Sequence, residues 1–167
     1  VAVEALRRLR RRTRRVGVNC VVSRVTYPHL DALAQEARGL RLDEIELLRF
    51  KPAGRALAPG VFERYDLTDE QRLGLLPLAL EIARTRRIRV RMDCSMVPLV
   101  AAHSPDPAVL QRFGVVGCDG GSHLAAIRED GALTACSFWE RPEAYGGRDL
   151  RKAWRADGAF EPFRSFT

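Results

Sequence analysis

VGVNCVVSRVTYPHLDALAQEARGLRLDEIELLRFKPAGR, residues 16–55, holds two short strand-like runs separated by one helix-like run. Val16 to Val22 (VGVNCVV) is compact and rich in β-branched residues, which fit a buried strand. After the polar turn Ser23-Arg24-Val25-Thr26, Pro28 opens a helix that carries Leu30, Leu33, Ala34 and Ala37 on one face, with Gly39 near its end. Glu44 to Phe50 (EIELLRF) is the next strand, and Lys51 to Arg55 (KPAGR) is a loop. Strand, helix and strand in this order predict parallel pairing through a right-handed crossover.

The same rhythm extends in both directions. Thr68-Asp69-Glu70-Gln71 is a capping box. The helix it starts carries Leu73, Leu76, Leu80 and Ala83, with a kink expected at Pro77. Ile88 to Met92 is a third strand, ending at Asp93-Cys94-Ser95. Upstream, residues 1–14 read as an amphipathic helix, with Val3, Leu6 and Leu9 spaced among Arg7, Arg8, Arg10, Arg11, Arg12, Arg14 and Arg15. The fold class is therefore α/β, as a barrel or an open sheet. In both, function sits at the carboxyl ends of the strands, where Ser23, Arg24, Arg49, Lys51, Asp93 and Cys94 lie.

The second half changes character. Ser104 to Pro107 is a break, and residues 107–113 form a short helix. LAAIREDGALTAC, residues 124–136, reads as a β-hairpin turning at Glu129-Asp130-Gly131. Twelve residues separate Cys118 from Gly131 and four separate Gly131 from Cys136. The hairpin draws its ends together, so the two thiols could share one centre. Inert buried thiols, a disulfide, a zinc site completed by His103 and His123, and an Fe–S cluster all fit that spacing. Trp139 to Gly147 is a loop, and Asp149 caps a final helix with Leu150, Ala153 and Trp154 on its inner side. Phe160, Phe163 and Phe166 crowd the last residues.

The 167 residues suit one ordinary domain, or one domain and a piece of another. The net charge of +7 is almost wholly arginine, since Lys51 and Lys152 are the only lysines. Such a bias follows from a GC-rich genome, and a solvated face is the simpler account of the arginine run. No aromatic residues interleave with it, which argues against a nucleic-acid surface. No apolar run reaches membrane-spanning length and there is no signal peptide, so a soluble, cytoplasmic protein is expected. The chain opens at Val1 inside a helix and closes on apolar residues, which suggests an internal part of a larger enzyme.

Taken in order, these motifs resemble the radical SAM superfamily. VVSR, ending at Arg24, is similar to the family's fifth strand, and EIELLRFKPAGRA to its sixth strand with the following P-x-G turn. Cys118, Gly131 and Cys136 satisfy the C-x(9–15)-G-x(4)-C opening of the SPASM/twitch extension, and DLRKAW…FEPFR resembles the segment after it. The resemblance implies the second half of a partial (β/α)6 barrel over residues 1–103. A small, truncated α+β SPASM/twitch domain with a β-hairpin would cover residues 104–167. The family's C-x3-C-x2-C loop, its GGE-type loop and the later C-x2-C segment have no counterpart among these residues.

The resemblance further implies that the whole enzyme cleaves S-adenosylmethionine reductively to a 5′-deoxyadenosyl radical, at a [4Fe–4S] cluster whose ligands lie outside this chain. Val22, Ser23, Arg24, Leu48 and Arg49 would meet the adenosine side of that cofactor. Cys118 and Cys136 would supply two ligands of an auxiliary [4Fe–4S] cluster, with Cys94 as a third ligand, a gate or a buried thiol. The implied substrate is a peptide or protein, as in a maturase of ribosomally made peptides, with flavodoxin or ferredoxin as electron donor. A twitch-type small-molecule dehydrogenase is the alternative within the family. Outside it stand a noncatalytic α/β module with structural zinc and an arginine-rich RNA-binding piece. By itself the chain is expected to be inactive.

Overall fold

β1 (Gly17–Val22), β2 (Glu44–Arg49) and β3 (Arg89–Met92) lie side by side in chain order, all parallel. The register pairs Gly17 with Glu44 and Val22 with Arg49 on one side of β2, and Glu44 with Arg89 and Leu47 with Met92 on the other. The central strand buries Ile45 and Leu47 completely. Each such side chain contributes about 1.5–3 kcal/mol by leaving water. This is the mixed α/β arrangement around a small parallel sheet that the sequence predicts. A computed structural model describes residues 1–139, 149–155 and 157–165, which divide into two units, Val1–Gly117 and Cys118–Thr167.

α2 (Leu30–Gly39) and α4 (Asp69–Thr85) cover the sheet of the first unit with Leu30, Ala34, Ala37, Leu75, Leu76, Ala79 and Ile82. Pro28 lies in a 3-10 turn, Tyr27–His29, and the α-helix proper starts at Leu30. α4 begins with the expected capping box: Thr68 Oγ1 accepts from Gln71 N, and Gln71 Oε1 accepts from Thr68 N, each at 3.2 Å. The helix runs continuously through Pro77. Leu73, expected on its inner face, is instead exposed. The buried arc runs through residues 75, 76, 79 and 82, which turns Leu73 roughly 130° away from the sheet.

α1 (Ala2–Arg10) stops short of the expected residue 14. The N–H groups of Arg12 and Thr13, and the Thr13 hydroxyl, all converge on the Leu9 carbonyl and close a tight turn. α2 ends in a Schellman motif, with Leu42 N bonded to Ala37 O and Arg41 N to Arg38 O. The left-handed residue there is Arg41 (φ 58°), two positions after Gly39; Arg87 (φ 50°) holds the same conformation just after α4. For a side chain this backbone costs on the order of 1 kcal/mol.

α3 (Val61–Tyr65) lies between the KPAGR loop and the capping box, where the sequence predicts no element. It brings Phe62 into a stack on Phe50 (ring centroids 5.7 Å apart) and Tyr65 edge-on to the same ring. α5 (Val97–Ala101) and α6 (Pro107–Phe113) follow β3. Phe113 and Val115 are part of the core of this first unit, so the expected break after His103 falls inside it rather than at its edge.

The second unit contains the expected hairpin. β4 (Ala126–Ile127) and β5 (Leu133–Thr134) pair antiparallel around Gly131, whose φ of 83° suits a residue without a side chain. Asp149 caps α7 (Leu150–Arg155), its Oδ1 accepting from Arg151 N at 3.0 Å and Lys152 N at 3.1 Å. α8 (Asp157–Arg164) then packs Phe160 against Leu133, Ala135 and Ala153. Leu150 is exposed rather than inward; from α7 it is Ala153 and, half-buried, Trp154 that pack on this small core. The expected loop over 140–147 and Phe166 lie outside the described residues. Among the described residues, no helix is long and apolar enough to cross a membrane.

Candidate functional sites

The parallel sheet gathers one cluster at its carboxyl ends. Register places Val22 beside Arg49 and Val21 beside Leu48, so the five residues expected at a cofactor, Val22, Ser23, Arg24, Leu48 and Arg49, meet at one end of β1 and β2. Val22 is a core side chain, Ser23 is buried, and Leu48 and Arg49 are half-buried. Ser23 is held in a local turn: its N–H donates to Thr26 Oγ1 at 2.8 Å, and that hydroxyl donates to Val21 O at 2.8 Å.

Arg24 is fixed from three sides. Its N–H donates to Tyr65 O at 2.8 Å, its Nε to Asp66 O at 3.2 Å and its Nη2 to Glu63 O at 3.3 Å. α3, which no periodicity in the sequence announced, is thus what anchors this end of β1. Asp93 is the hub at the end of β3. Its carboxylate accepts from Lys51 Nζ (2.9 Å), Ser95 Oγ (2.7 Å) and the backbone of Arg49 (3.4 Å). Cys94 is exposed next to it. A positive and a negative group, two hydroxyls and several fixed backbone groups therefore share one sheet end, which is the means to orient a polar ligand.

The second cluster lies on the loop and hairpin of the second unit. Cys118 Sγ accepts from the N–H of Gly120 at 3.4 Å, and Cys136 Sγ accepts from the N–H of Phe138 at 3.5 Å. Both sulfurs thus take a backbone donor from two residues on. A β-carbon on Gly120 would sit 3.2 Å from Cys118 Sγ and 3.3 Å from the carbonyl oxygen of Ala135, the neighbour of Cys136. Glycine at 120 therefore lets the Cys118 loop close on the end of the hairpin.

The rest of the loop is equally ordered. The Asp119 carbonyl accepts the N–H groups of His123 and Leu124 at 2.9 Å, and Gly121 N donates to Leu124 O at 2.8 Å. Arg164 clamps it from α8, with Nε on Gly121 O at 2.8 Å and Nη2 on Trp154 O at 2.6 Å. Cys118 is exposed and Cys136 half-buried, and neither is in a disulfide. Cys20, half-buried in β1, has its thiol pushed up by burial, which marks it as an unreactive core group. Among the described residues, no three His, Cys, Asp or Glu side chains come together as a metal site. His123 pairs loosely with Asp119 (3.5 Å), and His103 belongs to the first unit.

No family model and no curated protein matches the chain. Among solved structures it is similar to Streptococcus suis SuiB, determined bound to the precursor peptide SuiA. The two superpose with a TM-score of 0.63 over 99% of this chain, at 14% sequence identity. The chain spans 39% of the length of that structure. Likeness at this level is a shared fold, and it extends over both units.

Proposed function

We propose that this chain is part of a radical SAM enzyme that modifies a peptide or protein substrate. The observation that carries the reading is the likeness of nearly the whole chain to SuiB, a protein solved with its precursor peptide bound. The order of the sequence motifs supports it independently, because those motifs were legible without the fold.

In this reading the first unit supplies the later strands of the barrel and the second unit an auxiliary-cluster domain. When bound, S-adenosylmethionine and its reducing cluster supply the radical that abstracts a substrate hydrogen atom. The backbone at Val22 to Arg24 and at Leu48 and Arg49 would border the adenosine. Arg24 holds that edge in place rather than binding, since its N–H and its guanidinium are committed to the carbonyls of Tyr65, Asp66 and Glu63. Cys118 and Cys136 fit two positions of an auxiliary [4Fe–4S] cluster, for each sulfur already has the N–H donor that stabilises an iron-bound thiolate. They are half of a ligand set, and the other ligands come from elsewhere in the enzyme. Electrons would reach it from a small carrier such as flavodoxin or ferredoxin.

The test is anaerobic reconstitution of the enzyme with iron and sulfide, followed by metal analysis. Cys118→Ala with Cys136→Ala should lower iron by about one cluster's worth while leaving reductive cleavage of S-adenosylmethionine in place. Unchanged iron would remove these cysteines from the ligand set. Stoichiometric zinc with no iron would replace the whole reading by a structural zinc module.

A further inference from the structure

We propose that the opposite, amino-terminal end of the first unit's sheet is a docking site for an acidic polypeptide segment. A cleft of about 540 Å³ opens there, lined by Arg10, Arg38, Arg41 and Arg87 together with Leu42 and Asp43. Asp43 immediately precedes β2 and Arg87 stands just before β3, so the cleft is at the far end of the strands from Asp93.

Asp43 leaves most of this charge uncompensated. Its Oδ2 is taken by Arg10 Nη1 at 2.8 Å and by Val16 N at 2.7 Å. Among the described residues, no carboxylate forms an ion pair with Arg38, Arg41 or Arg87. Three exposed guanidiniums therefore line one concavity.

Their placement is not explained by helix ends alone. A basic residue in the last turn complements the helix dipole, and Arg38 does this for α2. Arg41 and Arg87 stand one step further, on left-handed residues where glycine is the usual and less strained choice. Arginine there puts a cation into the cleft at a conformational cost.

The basic surface is longer than the cleft. Arg10 reaches from it to the carbonyl of Arg14 at 3.2 Å, which ties the exposed turn Arg11–Arg14 alongside. An elongated strip of planar guanidiniums suits an extended chain bearing repeated carboxylates. Arg86 grips Asp31 through both oxygens in this same protein, which illustrates the pairing. Among the described residues, no aromatic side chain lines the cleft, so it lacks the stacking platform that single-stranded nucleic acid uses. The inference stands on the cleft alone and does not depend on the catalytic reading.

Fluorescence anisotropy with the full chain and a dye-labelled oligoglutamate peptide tests it. Saturable binding that weakens with added salt is expected. Arg41→Gly with Arg87→Gly should bind about tenfold more weakly, yet melt at the same temperature or higher because glycine relaxes both left-handed residues. Arg38→Gln, which changes no backbone conformation, should weaken binding in the same direction. Binding that survives all three substitutions, or tighter binding of single-stranded RNA of equal length, overturns the proposal. So does a lower melting temperature in the double glycine variant, which would assign those arginines to the fold.

Discussion

Lys51 Nζ lies 2.9 Å from Asp93 Oδ2 and ties the loop after β2 to the end of β3. Both side chains are largely shielded, 21% and 13% exposed. Removing one charge leaves the other poorly solvated. Asp93→Asn should therefore destabilise the first unit by about 1–3 kcal/mol, read as a lower urea midpoint with an unchanged slope. Adding Lys51→Met should recover part of that loss. If both variants match the parent, the pair does nothing for the fold.

The Tyr27 hydroxyl occupies the space a β-carbon on Gly74 would need, in the middle of α4. Gly74→Ala should be destabilising in the native background despite the better helix propensity of alanine. With Tyr27→Phe the obstructing oxygen is gone, and the next atom is at ordinary contact distance, 3.6 Å. There the same substitution should raise stability by up to about 1 kcal/mol. A change of sign between the two backgrounds, measured by thermal melting, is the expected outcome.

Gly121 has φ +74°, and a β-carbon there would meet Phe163 Cβ at 2.8 Å. Gly121→Ala should cost about 2 kcal/mol or more through backbone strain and overpacking. The loss should be local. Hydrogen exchange should quicken in the hairpin and in the described part of α8, while β1 to β3 keep their protection.

The Arg86 guanidinium bonded to Asp31 holds that carboxyl below the usual carboxylate range. A lowered folded-state value means that the pair's stabilisation is present above the unfolded carboxyl's pKa and fades as pH falls through the folded one. Both groups are near the surface, so the effect is small and screened by salt. Asp31→Asn should lower the melting temperature slightly at neutral pH and make no difference in strong acid. A difference that persists there would assign it to packing.

The parallel sheet, the capping box at Thr68 and the hairpin around Gly131 were legible because each follows from local spacing. Leu73 and Leu150 were misplaced because period alone does not say which side of a helix faces the sheet. α3 was hidden because only five residues are helical and its apolar groups, Phe62 and Tyr65, pack on Phe50 rather than repeating. At the sites, the cysteines stood out by residue type. The N–H donors of Gly120 and Phe138, the hub at Asp93 and the Arg38–Arg41–Arg87 cleft depend on three-dimensional closure. One signal was available: arginine at Arg41, two residues past the end of α2 at Gly39, is an odd choice for a helix stop.

The strand register has a consequence for the order of assembly during synthesis. Ala126 finds Thr134 across a single turn, a loop that closes in microseconds. Gly17 and Glu44, and Glu44 and Arg89, must find each other across whole intervening helices. The chain therefore leaves the ribosome with β1 and β2 waiting for β3, and the outer edge of β2 stays unpaired until Met92 emerges. The hairpin, made later, folds almost as soon as it appears.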